Sequence, residues 1–224
     1  MVIIKLILVV LTGYFLGSIP FGLIMSKLNG KGDIRKWGSG RTGATNVLRT
    51  VGKKAAAITA VLDMSKGATS VVFAGYIMSQ EYLVISGLGL WVMLRSAQTA
   101  AALAAIAGHN WPIFLRFKGG RGVSTYMGGL AALCPAAALF GGEVFIIGAG
   151  LTRYASLASI AGLLGTSAIL VPMTVINGFP VEYLLYTMSG ATIIIYMHRD
   201  NIKRLMAGKE RKLGEKAEKT KGAE

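Results

Sequence analysis

Apolar positions in this chain come in long uninterrupted runs, not in the short alternation that marks half-buried strands. Such runs cover 2–27, 55–79, 82–107, 155–176 and 181–197. Each approaches the roughly 20 apolar residues a helix needs to cross hydrocarbon. The stretch 122–152 is too long for one span and short for two, and Pro135 and Gly141-Gly142-Glu143 interrupt it. The first run lacks a sizeable basic leader and is too long for a secretory signal, so the pattern predicts a retained span.

Charge sets the orientation. From Lys27 to Lys54 there are eight Lys or Arg residues against Asp33 alone. Short basic loops stay cytoplasmic. The loop near Gln80-Glu81 is then external, and the loop carrying Arg116, Lys118 and Arg121 is cytoplasmic. The basic tail from Arg199 onward belongs inside as well, which requires two spans within 122–152. The expected fold is an all-α integral membrane protein with seven transmembrane helices, two of them (within 122–152) short. Its N-terminus is out and its C-terminus cytoplasmic, with Gly178-Phe179-Pro180 as a short external turn. No internal repeat is visible. One domain is expected over 1–208, followed by a charged, solvated and mobile tail, 209–224.

Composition agrees. The chain is 53% hydrophobic and 15% charged, against about 25% charged in soluble domains. Thirty glycines suit closely packed membrane helices. The single Cys134 leaves no disulfide framework or CxxC metal site, and neither a cofactor nor a metal is expected. The net charge of +14 would suit nucleic acid. It gathers in loops between apolar runs, however, without an aromatic–basic stacking surface, so no nucleic-acid partner is expected.

The chemistry sits in those loops. Gly38-Ser39-Gly40-Arg41-Thr42-Gly43 matches GxGxxG, and Asp63 follows 20 residues later. No strand precedes the motif and Asp63 lies in an apolar run, so a dinucleotide fingerprint is rejected. What remains is a flexible loop or a nest of backbone amides for an anion, the latter strengthened by Arg49 one helical turn after Asn46. Lys118-Gly119-Gly120-Arg121-Gly122 leads into a helix beginning near Ser124 and Thr125. Membrane anchoring needs its charge but not its glycines, which favours an anion site at the helix start. His109 caps the third run. His198 with Asn201 is either an interfacial pair satisfied by water or a device that orients or deprotonates a hydroxyl. Asp63 and Lys66 are expected to pair, since an intramembrane charge costs about 2.5–3.5 kcal/mol on insertion scales. Ser156 and Ser159 share a helix face, as packing residues or as hydroxyls lining a site.

Taken together, these motifs resemble the PlsY family of bacterial membrane acyltransferases, which move an acyl group from acyl-phosphate to glycerol-3-phosphate. The resemblance spans Gly17-Ser18-Ile19-Pro20-Phe21-Gly22, the Ser39 to Arg49 block, Leu62 to Gly67, the His109 to Thr125 block, Ser156 to Ser159, and His198 to Gly208. Three positions depart from the family pattern: Arg41 stands where an Asn is usual, and Arg121 and Ser124 replace Lys and Ala. The resemblance implies that Ser39, with amides around Gly40 and Gly43, holds the acyl-phosphate. It further implies that Arg49, Arg121, Ser159, His198 and Asn201 hold or activate glycerol-3-phosphate, with Ser39, His198 and Asn201 as the catalytic group. Thr45, Asn46 and Lys118 join the substrate-binding set. Implied partners are glycerol-3-phosphate, acyl-phosphate, membrane lipid and the soluble enzyme that makes acyl-phosphate. The implied location is the bacterial inner membrane, with the site facing the cytoplasm. No His-x4-Asp acyltransferase motif is present, since Phe114 stands five residues after His109. The rival class is a transporter of phosphorylated solutes. It would favour inverted repeats and a midplane site, whereas these motifs gather at one face.

Overall fold

The computed structural model describes residues 2–79 and 88–219. They form α1 (Val2–Ser18), α2 (Phe21–Leu28), α3 (Ala44–Thr50), α4 (Lys53–Ser79), α5 (Leu88–Asn110), α6 (Val123–Leu133), α7 (Pro135–Thr152), α8 (Ala155–Val175), α9 (Val181–Met197) and α10 (Arg199–Met206). The only strand-like pairing among the described residues is a single bridge between Trp37 and Lys219. The expected Gln80-Glu81 loop and the start of the third span fall outside the described residues.

Among the described residues, five stretches have the length and apolarity to cross a membrane: Val2–Leu28, Lys53–Ser79, Gly89–Leu115, Pro135–Thr152 and Ala155–Val175. The two shorter apolar helices are α6 and α9. With 11 residues, α6 rises about 16 Å, half of a ~30 Å hydrocarbon layer. Only one of the two helices expected to be short in 122–152 is therefore short. The chain breaks at Cys134, and Pro135 opens α7, where its missing N–H leaves no bond unmade. Gly141-Gly142 does not interrupt that helix. Instead, a side chain at Gly141 would collide with Thr166, so the glycine lets α7 lie close on α8. The first run is likewise split, at Ile19-Pro20, because proline cannot continue the helical ladder.

Small residues hold the bundle together. Gly13 and Gly17 of α1 lie against the backbone of Ala101 and Ala105 in α5, where any side chain would strike a carbonyl. Such close approach is how helices associate in lipid, where apolar burial between helices gives no net gain. In the interior, Tyr126 and Tyr186 stack at 5.2 Å. The Tyr186 hydroxyl donates to the Tyr126 carbonyl at 2.8 Å, and the Tyr126 hydroxyl pairs with Thr166.

The polar segments meet at one end. Arg35 of the first loop donates to the Leu115 carbonyl at 3.2 Å. The Leu213 amide donates to the Arg153 carbonyl at 2.7 Å, and the Ala217 amide to the Arg49 carbonyl at 3.0 Å. Residues 209–219 are thus hydrogen-bonded across the loop end of the bundle, with most of their side chains exposed. Backbone hydrogen bonds with Gly38, Arg49 and Arg153 hold the segment, and the Glu210 carboxylate pairs with the Arg204 guanidinium.

Beneath that end lies the expected ion pair. Lys66 Nζ is 2.9 Å from Asp63 Oδ1, with both side chains almost fully buried. Lys66 also donates to the Ile19 carbonyl at 3.1 Å, at the break between α1 and α2. His109 Nδ1 faces the same carboxylate oxygen at 3.5 Å. Removing one partner of a buried pair strands the other charge, at a cost of about 3–5 kcal/mol. Asp63→Asn should therefore sharply reduce the folded, detergent-extracted yield, and Asp63→Leu combined with Lys66→Met should recover part of it. A normal yield for the single variant would contradict this role.

Candidate active site

A cavity of about 410 Å³ opens where the loops meet the bundle. Its polar wall carries Ser39, Gly43, Thr45, Asn46, Arg49, Arg121, Ser159, His198 and Asn201. These are nine of the eleven residues expected from the sequence. They reach one place from distant parts of the chain. Arg49 is in the last turn of α3, Arg121 just precedes α6, and Ser159 is in the second turn of α8. His198 caps α9, and Asn201 lies in α10. The opposite wall is apolar, with Ala60, Met64, Met127, Phe145, Ile146 and Leu163 from four helices. A polar end continuous with an apolar slot fits an amphiphile.

The two other expected residues lie elsewhere. Lys118 is exposed, and neither it nor Gly40 lines the cavity. The glycine loops also do a different job from the amide nests expected of them. Gly38 N–H donates to the Glu218 carbonyl and Gly40 N–H to the Trp37 carbonyl, each at 3.0 Å. Ser39 N–H donates to Asn46 Oδ1. Asn46 is itself the clamp of this loop: Nδ2 faces the carbonyls of Ile34, Trp37 and Arg41 at 2.8–3.2 Å. Its polar atoms are occupied by backbone, so it shapes the loop rather than offering itself to a ligand. In the second motif, Gly119 N–H and Gly120 N–H donate to the carbonyls of Asn110 and His109. A side chain at Gly120 would collide with the His109 ring. These glycines serve close packing over the end of α5, and their amides are engaged.

Side chains add anion-binding capacity beside the starts of α3 and α6, which also line the cavity. Arg49 Nε and Arg121 Nε are buried without a hydrogen-bond partner. Arg41, singled out in the sequence as a departure, joins them in the wall. Among the described residues, none of the three forms a salt bridge within 4.0 Å. Burial holds all three guanidiniums below their ordinary pKa. Arg121, with Arg41 and Arg204 also nearby, falls to about 10. They remain cations at neutral pH, and this uncompensated positive charge favours a polyanion.

His198 is set up as an acceptor. Its Nδ1 lies 2.8 Å from the Ile194 carbonyl, so Nδ1 carries the proton and Nε2 presents a lone pair. Burial, and next the Arg121 charge, push its pKa down to about 4. Asn201 Oδ1 is buried and unpartnered, while its Nδ2 donates to Glu210 Oε1 at 2.6 Å. Glu210 also accepts from Ser156 at 3.0 Å and from Arg204 at 2.7 Å. Burial raises the Glu210 pKa, but these hydrogen bonds outweigh it and hold the carboxyl below its ordinary value. Sequence reasoning missed Glu210, because one Glu in a Lys/Glu-rich tail carries no distinguishing signal.

The sequence and the fold are shared with known proteins. A family model described as glycerol-3-phosphate acyltransferase matches residues 7–208. The chain belongs to the glycerol-3-phosphate acyltransferase family. It is 59% identical over 217 residues to glycerol-3-phosphate acyltransferase 3 of Dehalococcoides mccartyi, covering 97% of this chain and 100% of that relative. It is 43% identical over 205 residues to the glycerol-3-phosphate acyltransferase of Brucella anthropi, covering 91% of each. The crystal structure of PlsY, an integral membrane glycerol 3-phosphate acyltransferase in its glycerol 3-phosphate form, superposes with a TM-score of 0.78. That match has 37% identity and covers 93% of this chain and 96% of that one. The lysophosphatidic acid form of the same enzyme gives a TM-score of 0.76 at 36% identity.

Because a depressed pKa disfavours the imidazolium, His198 should stay neutral as pH falls from 8 to 5. With only two histidines in the chain, histidine-selective ¹⁵N NMR, assigned with His198→Gln, can follow it directly. A neutral Nδ1–H form down to pH 5 is expected. A protonation midpoint near 6.5 would contradict the buried, cation-flanked environment.

Proposed function

We propose that this member of the glycerol-3-phosphate acyltransferase family takes its acyl group from an acyl-phosphate and delivers it to the 1-hydroxyl of glycerol-3-phosphate at the cytoplasmic face of the bacterial inner membrane. The products are lysophosphatidic acid and inorganic phosphate. The observation that carries this reading is the cavity itself, where guanidiniums without counter-charge adjoin an apolar slot between α4, α6, α7 and α8.

Both substrates bring a phosphate. Arg49 and Arg121 hold that of glycerol-3-phosphate. Ser39, Thr45 and Arg41 face the acyl-phosphate, whose chain lies along Met64, Met127, Phe145 and Ile146. An acyl-phosphate is a mixed anhydride with a good leaving group, so positioning and charge neutralisation are the main requirements. The hydroxyl oxygen attacks the acyl carbon, the carbon–oxygen bond to phosphate breaks, and phosphate leaves with the bonding pair. With a pKa near 4, His198 is a weak base. A phosphate oxygen, of pKa about 6, is the better proton acceptor, and His198 Nε2 aligns the hydroxyl by accepting its hydrogen bond.

Purified protein given labelled glycerol-3-phosphate and acyl-phosphate should form lysophosphatidate and phosphate in equal amounts, and acyl-CoA should not replace the donor. Without an acyl donor, proteoliposomes should show no exchange of labelled glycerol-3-phosphate; such exchange without acylation would favour the transporter class. Arg49→Ala and Arg121→Ala should each raise the glycerol-3-phosphate KM by about tenfold to a hundredfold or abolish turnover, as expected for loss of a charge-assisted hydrogen bond of about 1.5–3 kcal/mol. Arg121→Lys should keep much of the activity. Wild-type kinetics in both alanine variants would overturn the assignment.

A further inference from the structure

The family match stops at residue 208, yet the polar wall of the cavity does not. Glu210 lies beyond the match, lines the cavity and has a side chain only 3% exposed. A carboxylate has lone pairs and no proton to donate, so the Asn201 amide must turn its NH₂ toward it. The other end of that amide is thereby fixed. Asn201 Oδ1 is left buried, unpartnered and part of the wall of the cavity that Arg49 and Arg121 also line. The neighbouring residues of the same segment act on the first of those guanidiniums. The carbonyls of Arg211 and Lys212 accept from Arg49 Nη2 at 2.9 and 3.4 Å, which leaves Arg49 Nε as its buried, unpartnered donor.

We infer that Glu210 is a positioning residue for the acceptor substrate: it holds Asn201 so that Oδ1 accepts a hydroxyl of the polyol phosphate whose phosphate lies on Arg49 and Arg121. This rests on the acyltransferase reading above. Glu210 does not stand in for a substrate phosphate. Its partners are Ser156, Asn201 and Arg204, and it forms no salt bridge with Arg49 or Arg121. It sits next to the phosphate-binding pair and neutralises Arg204, leaving the charge of the other two guanidiniums for the ligand. Glu210 is on this account part of the wall of the acceptor subsite, and the residues after it hold Arg49 in place.

The test is a double-substitution cycle on the full-length purified enzyme, with KM and kcat measured for both substrates and folding followed by thermal melting. Wild-type turnover tests the acyltransferase reading by itself, and the variants test Glu210. Glu210→Ala should raise the glycerol-3-phosphate KM about tenfold and leave the acyl-phosphate KM within about twofold. Glu210→Gln, which still offers an oxygen to Asn201, should recover most of the loss. In an Asn201→Ala background, adding Glu210→Ala should cost less than about twofold, because the two act as one unit. Glu210→Asp keeps the charge, shortens the reach by one methylene and should show the same selective KM rise. It carries the test if Glu210→Ala cannot be recovered folded. Independent, multiplying effects would overturn the inference. So would a fall in KM, the sign of a carboxylate that competes with substrate, or a lowered melting temperature with unchanged kinetic constants.

Discussion

Everything at the polar end of this bundle follows from the cost of holding half-buried guanidinium groups without a carboxylate bonded to them. Arg41, Arg49 and Arg121 are all pushed below their ordinary pKa by burial, and none has a carboxylate within salt-bridge distance among the described residues. Such an arrangement is unfavourable by itself and becomes favourable when an anion arrives. The rest of the structure makes it tolerable. The Asn46 clamp fixes the loop before α3, and Gly119 and Gly120 seat the second loop on α5. The tail supplies carbonyls to Arg49 and a carboxylate to Arg204. Deeper in the bundle, Asp63, Lys66 and the Ile19 carbonyl form a closed group that anchors α4 to the proline break after α1.

This division explains why the glycines and the cations have separate roles. A glycine-rich loop next to basic residues reads as an amide nest, but here the amides of Gly38, Ser39, Gly40, Gly119 and Gly120 are all bonded within the protein. Backbone satisfaction gives rigid loops, and rigid loops hold long arginine side chains where a ligand needs them. The apolar wall completes the site, because an acyl chain can stay among helices while its headgroup meets the guanidiniums.

Much of the fold was legible because hydrocarbon imposes length and apolarity on any helix that crosses it, and the runs ending at Ser79 and Ile176 carry that signature plainly. The loops could be grouped on one side because Lys and Arg cluster there. What escaped were features that depend on local chain geometry or distant contact. Pro20 breaks an apolar run that hydropathy alone reads as continuous, and Gly141-Gly142, unlike Pro135, punctuates the sequence without breaking a helix. Asn46 was legible as a site residue but not as a loop clamp, since its partners Ile34 and Trp37 lie up to 12 residues away in sequence. Lys118 shares a motif with Arg121 but points to the exterior. The docked tail left no trace in composition, because its contacts are mostly backbone hydrogen bonds, which any sequence can make.

The central claim is that side-chain guanidiniums, not backbone nests, receive the phosphate of the acceptor. An experimental structure of this chain with glycerol-3-phosphate bound tests it most directly. The account predicts phosphate oxygens within about 3 Å of the Arg49 and Arg121 guanidiniums, the attacking hydroxyl at His198 Nε2, and the amides of Gly38 to Gly40 still bonded to their protein partners. A phosphate seated on those glycine amides, with Arg49 and Arg121 turned away, would contradict it.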